Sequence, residues 1–490
     1  MRTDKDSKLL NIYIPALLFA IGFCWKLCFI NARDISIDEP YSIFNAQKSV
    51  ADILRIPAEG EPNPPLFMLL LHFWIKLFGI EALSARFLPL LFNSLTIPFL
   101  YFTGKRFFSF WTGIAASALF IFSTYHFYHG LEARTYSLLS LATASSLYFY
   151  LGFVQDTANK KALAGLILSN LFLVYSHYFG WYVVFSQFLA GFFYVRSFKM
   201  FLRFQVPSIV TVIGFLPMVT IVLKQFRMSS RGTWLEPPNP EDFSREFYFL
   251  LNHKEVFNVI LYVLCIGLFF AIFMIIKRKW KGFNTGVPVL LIWWLVPYAI
   301  MFLISPRLPM FNSRYILFNT IGLFLFIPAL VSLLYQKNKY LEPVAGLVII
   351  IFMYIHLRVL PKDFAYREWK KSIEFVKSNE NIGSIIVIFP KWTDYMFAYH
   401  YDRKLFAGYQ EFDQNLVKRR IYRVWGTQDA ESVLAANPGS RVIYLQDGGI
   451  KPGDEIIRML DSVYFKPDHR FYPQTINIRI YDPKEKKELP

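Results

Sequence analysis

The chain has 490 residues, 55% of them hydrophobic and only 18% charged, with 52 phenylalanines and a mean hydropathy of +0.35. Length alone would allow roughly three soluble domains, and this composition excludes that organisation. The formal net charge of +17 does not indicate a nucleic-acid binder. The excess sits in short clusters between apolar runs: Lys105-Arg106, Lys160-Lys161, Arg196/Lys199/Arg203, Lys277-Arg278-Lys279/Lys281 and Lys337/Lys339. That placement is the cytoplasmic signature of the positive-inside rule. Cys24, Cys28 and Cys265 fall inside apolar runs and read as packing residues, not as a disulfide framework or a metal box.

Taken in chain order, the first apolar run, 9–30, is too long for the core of a signal peptide and lacks a small-residue cleavage site, so it reads as a retained span. Later runs of near-membrane length are 84–103, 110–128, 134–154, 161–177, 179–196, 205–224, 255–276, 284–304, 315–335 and 341–358. The spacing predicts a multi-span α-helical membrane protein with about eleven transmembrane helices. The segment 64–79 is apolar but short and carries His72 and Lys76. Counting it as a span would reverse the charge bias. Laid flat on the outer surface, it leaves every basic cluster inside. The expected organisation is therefore a membrane domain over 1–358, with an outer loop at 31–83, and a soluble domain over 359–490. Further outer loops are expected at about 225–254 and 305–314.

An odd number of spans exports the C-terminal part. There, 384–389, 441–446 and 476–481 read as strands and 365–378 as an amphipathic helix, which predicts a small exported C-terminal α/β domain. No internal repeat of the kind that builds many transporters is evident.

The charged residues at the outer ends of the runs are the candidate chemistry. Asp38-Glu39-Pro40 comes first. Pro40 holds Glu39 extended and suits the first position of a helix through Tyr41–Gln47. Two acids there either complement a helix N-terminus or supply a general base with a neighbouring hydroxyl or metal ligand. Glu132-Ala133-Arg134, with Tyr136 after it and His126 and His129 before it, lies where one run emerges and the next begins. On a helix, Glu132 and Arg134 would face different partners. Arg134 is either a snorkelling cation or a phosphate ligand, for which its planar fork is suited. Arg314-Tyr315 opens a later run and is a second candidate anion ligand, the alternative being an interface anchor. His177-Tyr178 reads as a pair of interface residues or as ligands for sugar hydroxyls.

Several familiar motifs are missing. No glycine-rich phosphate loop follows a strand, so no nucleotide cofactor is expected. No HExxH, paired CxxC or G-x-S-x-G supports a zinc hydrolase or a serine esterase. An enzyme at the outer face without a nucleotide needs an activated substrate delivered through the membrane. A lipid-linked phosphate donor meets that need, its phosphate leaving with help from arginines.

The ordered motifs resemble the polyprenyl-phosphate-dependent glycosyltransferases of the GT-C superfamily, in particular family-39-type proteins akin to protein O-mannosyltransferases and lipid A or core-sugar transferases. Asp38-Glu39-Pro40-Tyr41 is similar to the family's acidic motif after the first span, and Asn63-Pro64-Pro65-Leu66 to its His-Pro-Pro-Leu. Arg86, Glu132-Ala133-Arg134-Thr135-Tyr136, His177-Tyr178 and Arg314-Tyr315 follow in the family's order. Asn63 stands where the family has His, Leu131 where a Gln often precedes Glu-Ala-Arg, and Arg86 precedes Phe-Leu-Pro instead of Leu-Pro. The resemblance implies Asp38 as general base, with Glu39 as its neighbour in acceptor or cation binding. It implies Arg134, oriented by Glu132, and Arg314 on the donor phosphate, and Asn63, Arg86, Tyr136, His177, Tyr178 and Tyr315 in substrate binding.

It also implies inverting sugar transfer from a polyprenyl-phosphate sugar to an acceptor hydroxyl on a glycolipid, polysaccharide or protein. The location would be the outer (periplasmic) face of a bacterial inner membrane. Whether a divalent cation joins Asp38 and Glu39 stays open. The alternative from another class is a transporter or flippase of lipid-linked sugars, which calls for charges near span midpoints and repeated halves.

Overall fold

The structure, a computed structural model, describes residues 4–483 apart from 37, 196, 230–234, 280–283, 360–366, 449–450, 466 and 473–475. Arg196, Lys281 and the start of the expected 365–378 helix lie outside the described residues. The chain divides into two compact units. One comprises Met1–Phe29, Val50–Trp74 and Ser84–Val359, the other Ile30–Ser49, Ile75–Leu83 and Leu360–Pro490. Two stretches of the expected outer loop, Ile30–Ser49 and Ile75–Leu83, thus belong to the second unit.

The first unit is helical. Among the described residues, the helices Ala82–Phe107, Tyr136–Gln155, Phe198–Arg227, Lys254–Ile276 and Gly286–Ile304 are long and apolar enough to cross a membrane. Shorter apolar helices are Asn11–Leu27, Leu66–Phe78, Phe110–Ile121, Asn319–Leu334 and Leu341–Ile355. Their burial runs opposite to that of a soluble bundle. In Lys254–Ile276 the most apolar window has a mean hydropathy of 3.1 and is only 22% buried, whereas in Tyr136–Gln155 the values are 1.4 and 83%. The more apolar helix turns its side chains outward, Phe269 and Ile276 among them, as lipid solvation allows.

Within the large aliphatic and aromatic interior of the first unit, small and polar residues join helices at close range. Ser146 Oγ donates to Asn170 Oδ1 at 2.7 Å, Asn170 Nδ2 donates to Gln187 Oε1 at 2.8 Å, and Gln187 Nε2 donates to Ser146 Oγ at 2.7 Å. That buried triangle joins the helices Tyr136–Gln155, Lys160–Ser176 and Gly180–Gly191. At the turn between Ala82–Phe107 and Phe110–Ile121, a Cβ on Gly104 would lie 2.5 Å from the Cα of Gly113. Only glycine lets those backbones approach so closely.

The expected run 110–128 is broken in the structure. Phe110–Ile121 ends, and Thr124–Gly130 starts afresh with Ser123 as its N-cap, accepting from His126 N at 3.4 Å. The break is fixed from outside by Asn252. Its Nδ2 donates to Phe122 O at 2.8 Å and its Oδ1 accepts from Thr124 N at 2.8 Å. The expected loop at 225–254 contains a helix of its own, Pro240–Leu250, opened by a capping box between Asn239 and Asp242.

The second unit is built on a mixed five-stranded sheet of β1 (Ile385–Phe389), β2 (Ile421–Arg423), β3 (Val442–Asp447), β4 (Asp468–Tyr472) and β5 (Ile476–Tyr481), in the order β2-β1-β3-β5-β4. β1 pairs parallel with β2 and β3, while β5 runs antiparallel to β3 and β4. The three strands expected from sequence are β1, β3 and β5. The central β1 and β3 are buried throughout, β1 wholly apolar and β3 apolar up to its closing Gln446 and Asp447, as strands covered on both faces are.

The helix Glu39–Ala46 packs into this unit. Phe44 sits against Tyr395, Phe412 and Phe406, with ring centroids at 4.6, 4.7 and 5.5 Å. Just before it, Asp34 Oδ2 accepts from Lys370 N at 3.0 Å, and Ile35 O lies 2.7 Å from His400 Nε2. Aromatic packing and paired polar groups thus make the acidic segment part of the second unit's core.

Candidate active site

Within the first unit, seven of the residues singled out from sequence converge: His129, Glu132, Arg134, Tyr136, His177, Arg314 and Tyr315. Leu131–Thr135 is not helical: it joins Thr124–Gly130 to Tyr136–Gln155, and Arg134 N donates to Glu132 O at 2.6 Å in a tight turn. Thr135 Oγ1 donates to Ser176 O at 2.8 Å, tying this turn to the end of Lys160–Ser176 beside His177. Glu132, Arg134, Tyr136 and His177 are all buried. Glu132 Oε2 lies 2.7 Å from His129 Nδ1. Rings then pass the contact along: His129 to Tyr136 at 5.0 Å, Tyr136 to His177 at 6.2 Å, and His177 to Tyr315 at 5.9 Å.

The Arg134 and Arg314 guanidiniums each bear on the His177 ring and on the Tyr136 hydroxyl, which also feels Tyr315 and Glu132. Arg314 Cζ lies 5.2 Å from the centroid of Tyr315. It is placed by the short helix Ser313–Ile316, whose N-cap Asn312 accepts from Arg314 N at 3.2 Å. His177 Nδ1 accepts from Phe179 N at 3.2 Å, so its proton sits on Nε2, a buried atom with no acceptor among the described residues. Two guanidiniums, a neutral imidazole N–H and a phenol around one spot make a ready receptor for an anion with several oxygens.

Asn63 and Tyr178 belong to a neighbouring group in the same unit. Asn63 Nδ2 donates to the buried Glu61 Oε1 at 2.6 Å, and Gln225 Nε2 donates to the backbone carbonyls of Glu61 and Pro57, each at 2.6 Å. Gln225 and Glu61 are also the electrostatic neighbours of Tyr178. Arg86 is fully enclosed in the Ala82–Phe107 helix.

The acidic pair lies in the second unit. Asp38 is the N-cap of Glu39–Ala46 and is half-exposed, while Glu39 is buried and its Oε2 accepts from Ser36 N at 3.4 Å. Ser42 donates to the Asp38 carbonyl through both N and Oγ, each at 3.2 Å. The two acids differ in what they can do. Asp38 keeps part of its surface open, and Glu39 is turned inward onto the loop before it.

Sequence reasoning missed Lys26, Asn93 and Thr320. Lys26 is fully buried and its Nζ donates to Asn93 Oδ1 at 2.5 Å. His126 Nε2 lies 2.6 Å from Thr320 Oγ1, and the Lys26 and His129 charges both act on His126. A polar string therefore runs inward from Glu132 and His129 to Lys26. A lysine inside an otherwise apolar run was the available signal, since such residues seldom lie in a membrane without a partner and a purpose. Glu61, two positions before Asn63, was missed as well.

The fold defines a multi-span helical membrane protein. The family model described as dolichyl-phosphate-mannose-protein mannosyltransferase matches residues 62–223. No curated protein matches the chain by sequence. Among solved structures, the chain is similar to ArnT from Cupriavidus metallidurans in the apo state, at 11% identity and a TM-score of 0.56, over 97% of this chain and 98% of that one. It is also similar to ArnT from the same organism bound to undecaprenyl phosphate, at 12% identity and a TM-score of 0.52, over 98% of each chain. At these identities the likeness establishes the fold, and it extends over nearly the whole length. The resemblance read from the ordered motifs, to GT-C membrane glycosyltransferases of the family-39 type, is thus met by a family model and by fold.

Proposed function

We propose that the protein is a membrane glycosyltransferase that moves a sugar from a polyprenyl-phosphate donor to an acceptor hydroxyl. The observation that carries this reading is the convergence of the buried Arg134, Tyr136 and His177 with the partly buried Arg314 at helix ends. Such a group binds the donor phosphate and stabilises the charge that grows on it as the glycosidic bond breaks. Glu132 is held by His129 and orients the turn that carries Arg134.

Asp38 accepts the proton of the attacking acceptor hydroxyl. The new bond forms at the anomeric carbon as the bond to phosphate oxygen breaks, with inversion, and the electron pair leaves on the polyprenyl phosphate. Glu39 and, where the protein uses one, a divalent cation support Asp38. Asn63, Arg86, Tyr178 and Tyr315 line substrate. The fold is that of a protein whose solved structure holds undecaprenyl phosphate, which supports a polyprenyl phosphate over other anions.

The same reading gives the chain about eleven spans, places its basic clusters in the cytoplasm, and puts the reacting groups and residues 359–490 on the outer face of a bacterial inner membrane. Purified protein in liposomes, offered a panel of undecaprenyl-phosphate sugars and glycolipid acceptors, should release undecaprenyl phosphate only when both substrates are present. Asp38→Asn should lower that rate by about 10²–10⁴ with the protein still folded. Wild-type turnover in Asp38→Asn would remove Asp38 as the base, and transbilayer movement of donor without sugar transfer would favour a flippase.

A further inference from the structure

His253, Glu255 and His356 gather at one corner of the first unit, and none of them has a part in the reaction above. His253 caps the helix Lys254–Ile276 and His356 ends Leu341–Ile355, two helices that pack together. Their rings stack at 4.5 Å with planes 9° apart, His356 Nε2 lies 3.0 Å from Glu255 Oε2, and one ligand atom from each residue falls within 4.8 Å of the others. We propose that these three side chains form a site for a zinc-class divalent metal that staples the start of one helix to the end of the other.

Ligand chemistry supports this class. Two imidazoles and a carboxylate suit zinc and its neighbours, whereas calcium and magnesium prefer oxygen-only shells. Bonds of about 2.0–2.1 Å in a tetrahedron put ligand atoms roughly 3.3 Å apart. His356 and Glu255, at 3.0 Å, are close to that separation, and His253, whose ligand atom lies within 4.8 Å of theirs, must swing inward. Water completes the fourth position.

The corner is organised before any ion arrives. Asn252 is buried and held at a φ of +67°. Its side chain bridges Phe122 O, Thr124 N and Met353 O at 2.8, 2.8 and 2.9 Å. It thereby pins the loop bearing His253 to the turn before His356. Loading has one local cost. His253 Nδ1 accepts from Glu255 N, and a ligating imidazole must either bind metal through Nδ1 or carry its proton there. That capping bond is long, at 3.2 Å, so its loss is small beside metal ligation.

Because His356 ends the last helix of the first unit, an ion here would fix the point from which the chain leaves toward Leu360–Pro490. The proposal does not depend on glycosyl transfer.

The test uses the full chain in detergent, stripped with chelator and titrated with cobalt(II) and then zinc. The expected result is intense visible d–d absorption of a four-coordinate cobalt site, one ion per chain, bleached by zinc, with a rise in the unfolding midpoint. His253→Ala and His356→Ala should abolish the bands and weaken zinc binding beyond the roughly 10–100-fold that outer-sphere changes cause. Glu255→Gln changes an exposed side chain, spares the fold, and should also weaken zinc. Asp38→Asn should bind cobalt as wild type does. Absence of the bands in wild type, wild-type binding in both histidine variants, or loss of the bands on Asp38→Asn would overturn the site.

Discussion

Replacing Arg134 with alanine isolates what the buried arginine group contributes to holding a phosphate. Arg134 is only 9% exposed, and its charge acts on His177 and Tyr136. A hydrogen bond to a charged group is worth about 1.5–3 kcal/mol, and a guanidinium offers a phosphate two in parallel. A loss of about 3 kcal/mol corresponds to roughly 100-fold in affinity. Arg134→Lys keeps a point charge and loses the fork, so about a tenfold loss is expected. Glu132 is not stranded in either variant, because His129 still meets it at 2.7 Å, and the fold should survive. The assay is titration of purified protein in nanodiscs with a short-chain polyprenyl phosphate, run beside the corresponding polyprenol. The alcohol shares the tail and lacks the charge, so its binding should not change. Equal losses for phosphate and alcohol would mean that Arg134 holds the tail or the fold. An unchanged dissociation constant for the phosphate would discard the role altogether.

Three further outcomes are expected. Phe44 is 3% exposed and meets three aromatic rings, so Phe44→Ala should destabilise the second unit by about 3–5 kcal/mol. It should also lower sugar-transfer activity without altering Asp38, checked by thermal unfolding beside turnover. His400 is held down to about 4 from 6.5, chiefly by burial, with the Arg403 and Lys370 charges adding to it. The unfolded imidazole therefore binds a proton that the folded one refuses, so stability is complete above pH 6.5 and falls as pH drops toward 4. The upper bound is about 3 kcal/mol. His400→Gln should flatten the fall in unfolding midpoint between about pH 7 and pH 5, and an equal fall in both proteins would refute this source. A reporter fused after Pro490 that requires a non-cytoplasmic location should be active, and cytoplasmic activity would refute the orientation.

Long apolar runs made the helices legible, because a membrane helix writes its length and hydropathy into consecutive residues. Long-range packing left no such trace. Nothing local tells that the run at 110–128 breaks after Phe122, since the groups that fix the break belong to Asn252. Nothing local joins Phe44 to Tyr395, Phe406 and Phe412, so the acidic segment looked like a loop of the membrane part. β2 is three residues long and β4 is the polar DHRFY, and each is defined by its partner's register, not by its own pattern.

The candidate site was readable for a different reason. Asn63 precedes the helix Leu66–Phe78, Glu132 and Arg134 fill a gap between helices, His177 follows Lys160–Ser176, and Arg314 precedes Asn319–Leu334. Within the hydrocarbon a helix must satisfy its backbone internally and keep charges out of contact with lipid. At its ends, backbone groups are unpaired and polar partners are welcome. Chemistry therefore collects at helix ends, and the spacing between reactive motifs is set by the lengths of the spans between them. That is why several short motifs, each weak alone, gained force from their order. Lys26 escaped the same reading because its helix, Asp4–Leu27, closes inside the apolar run at 9–30, so the sequence shows no junction there.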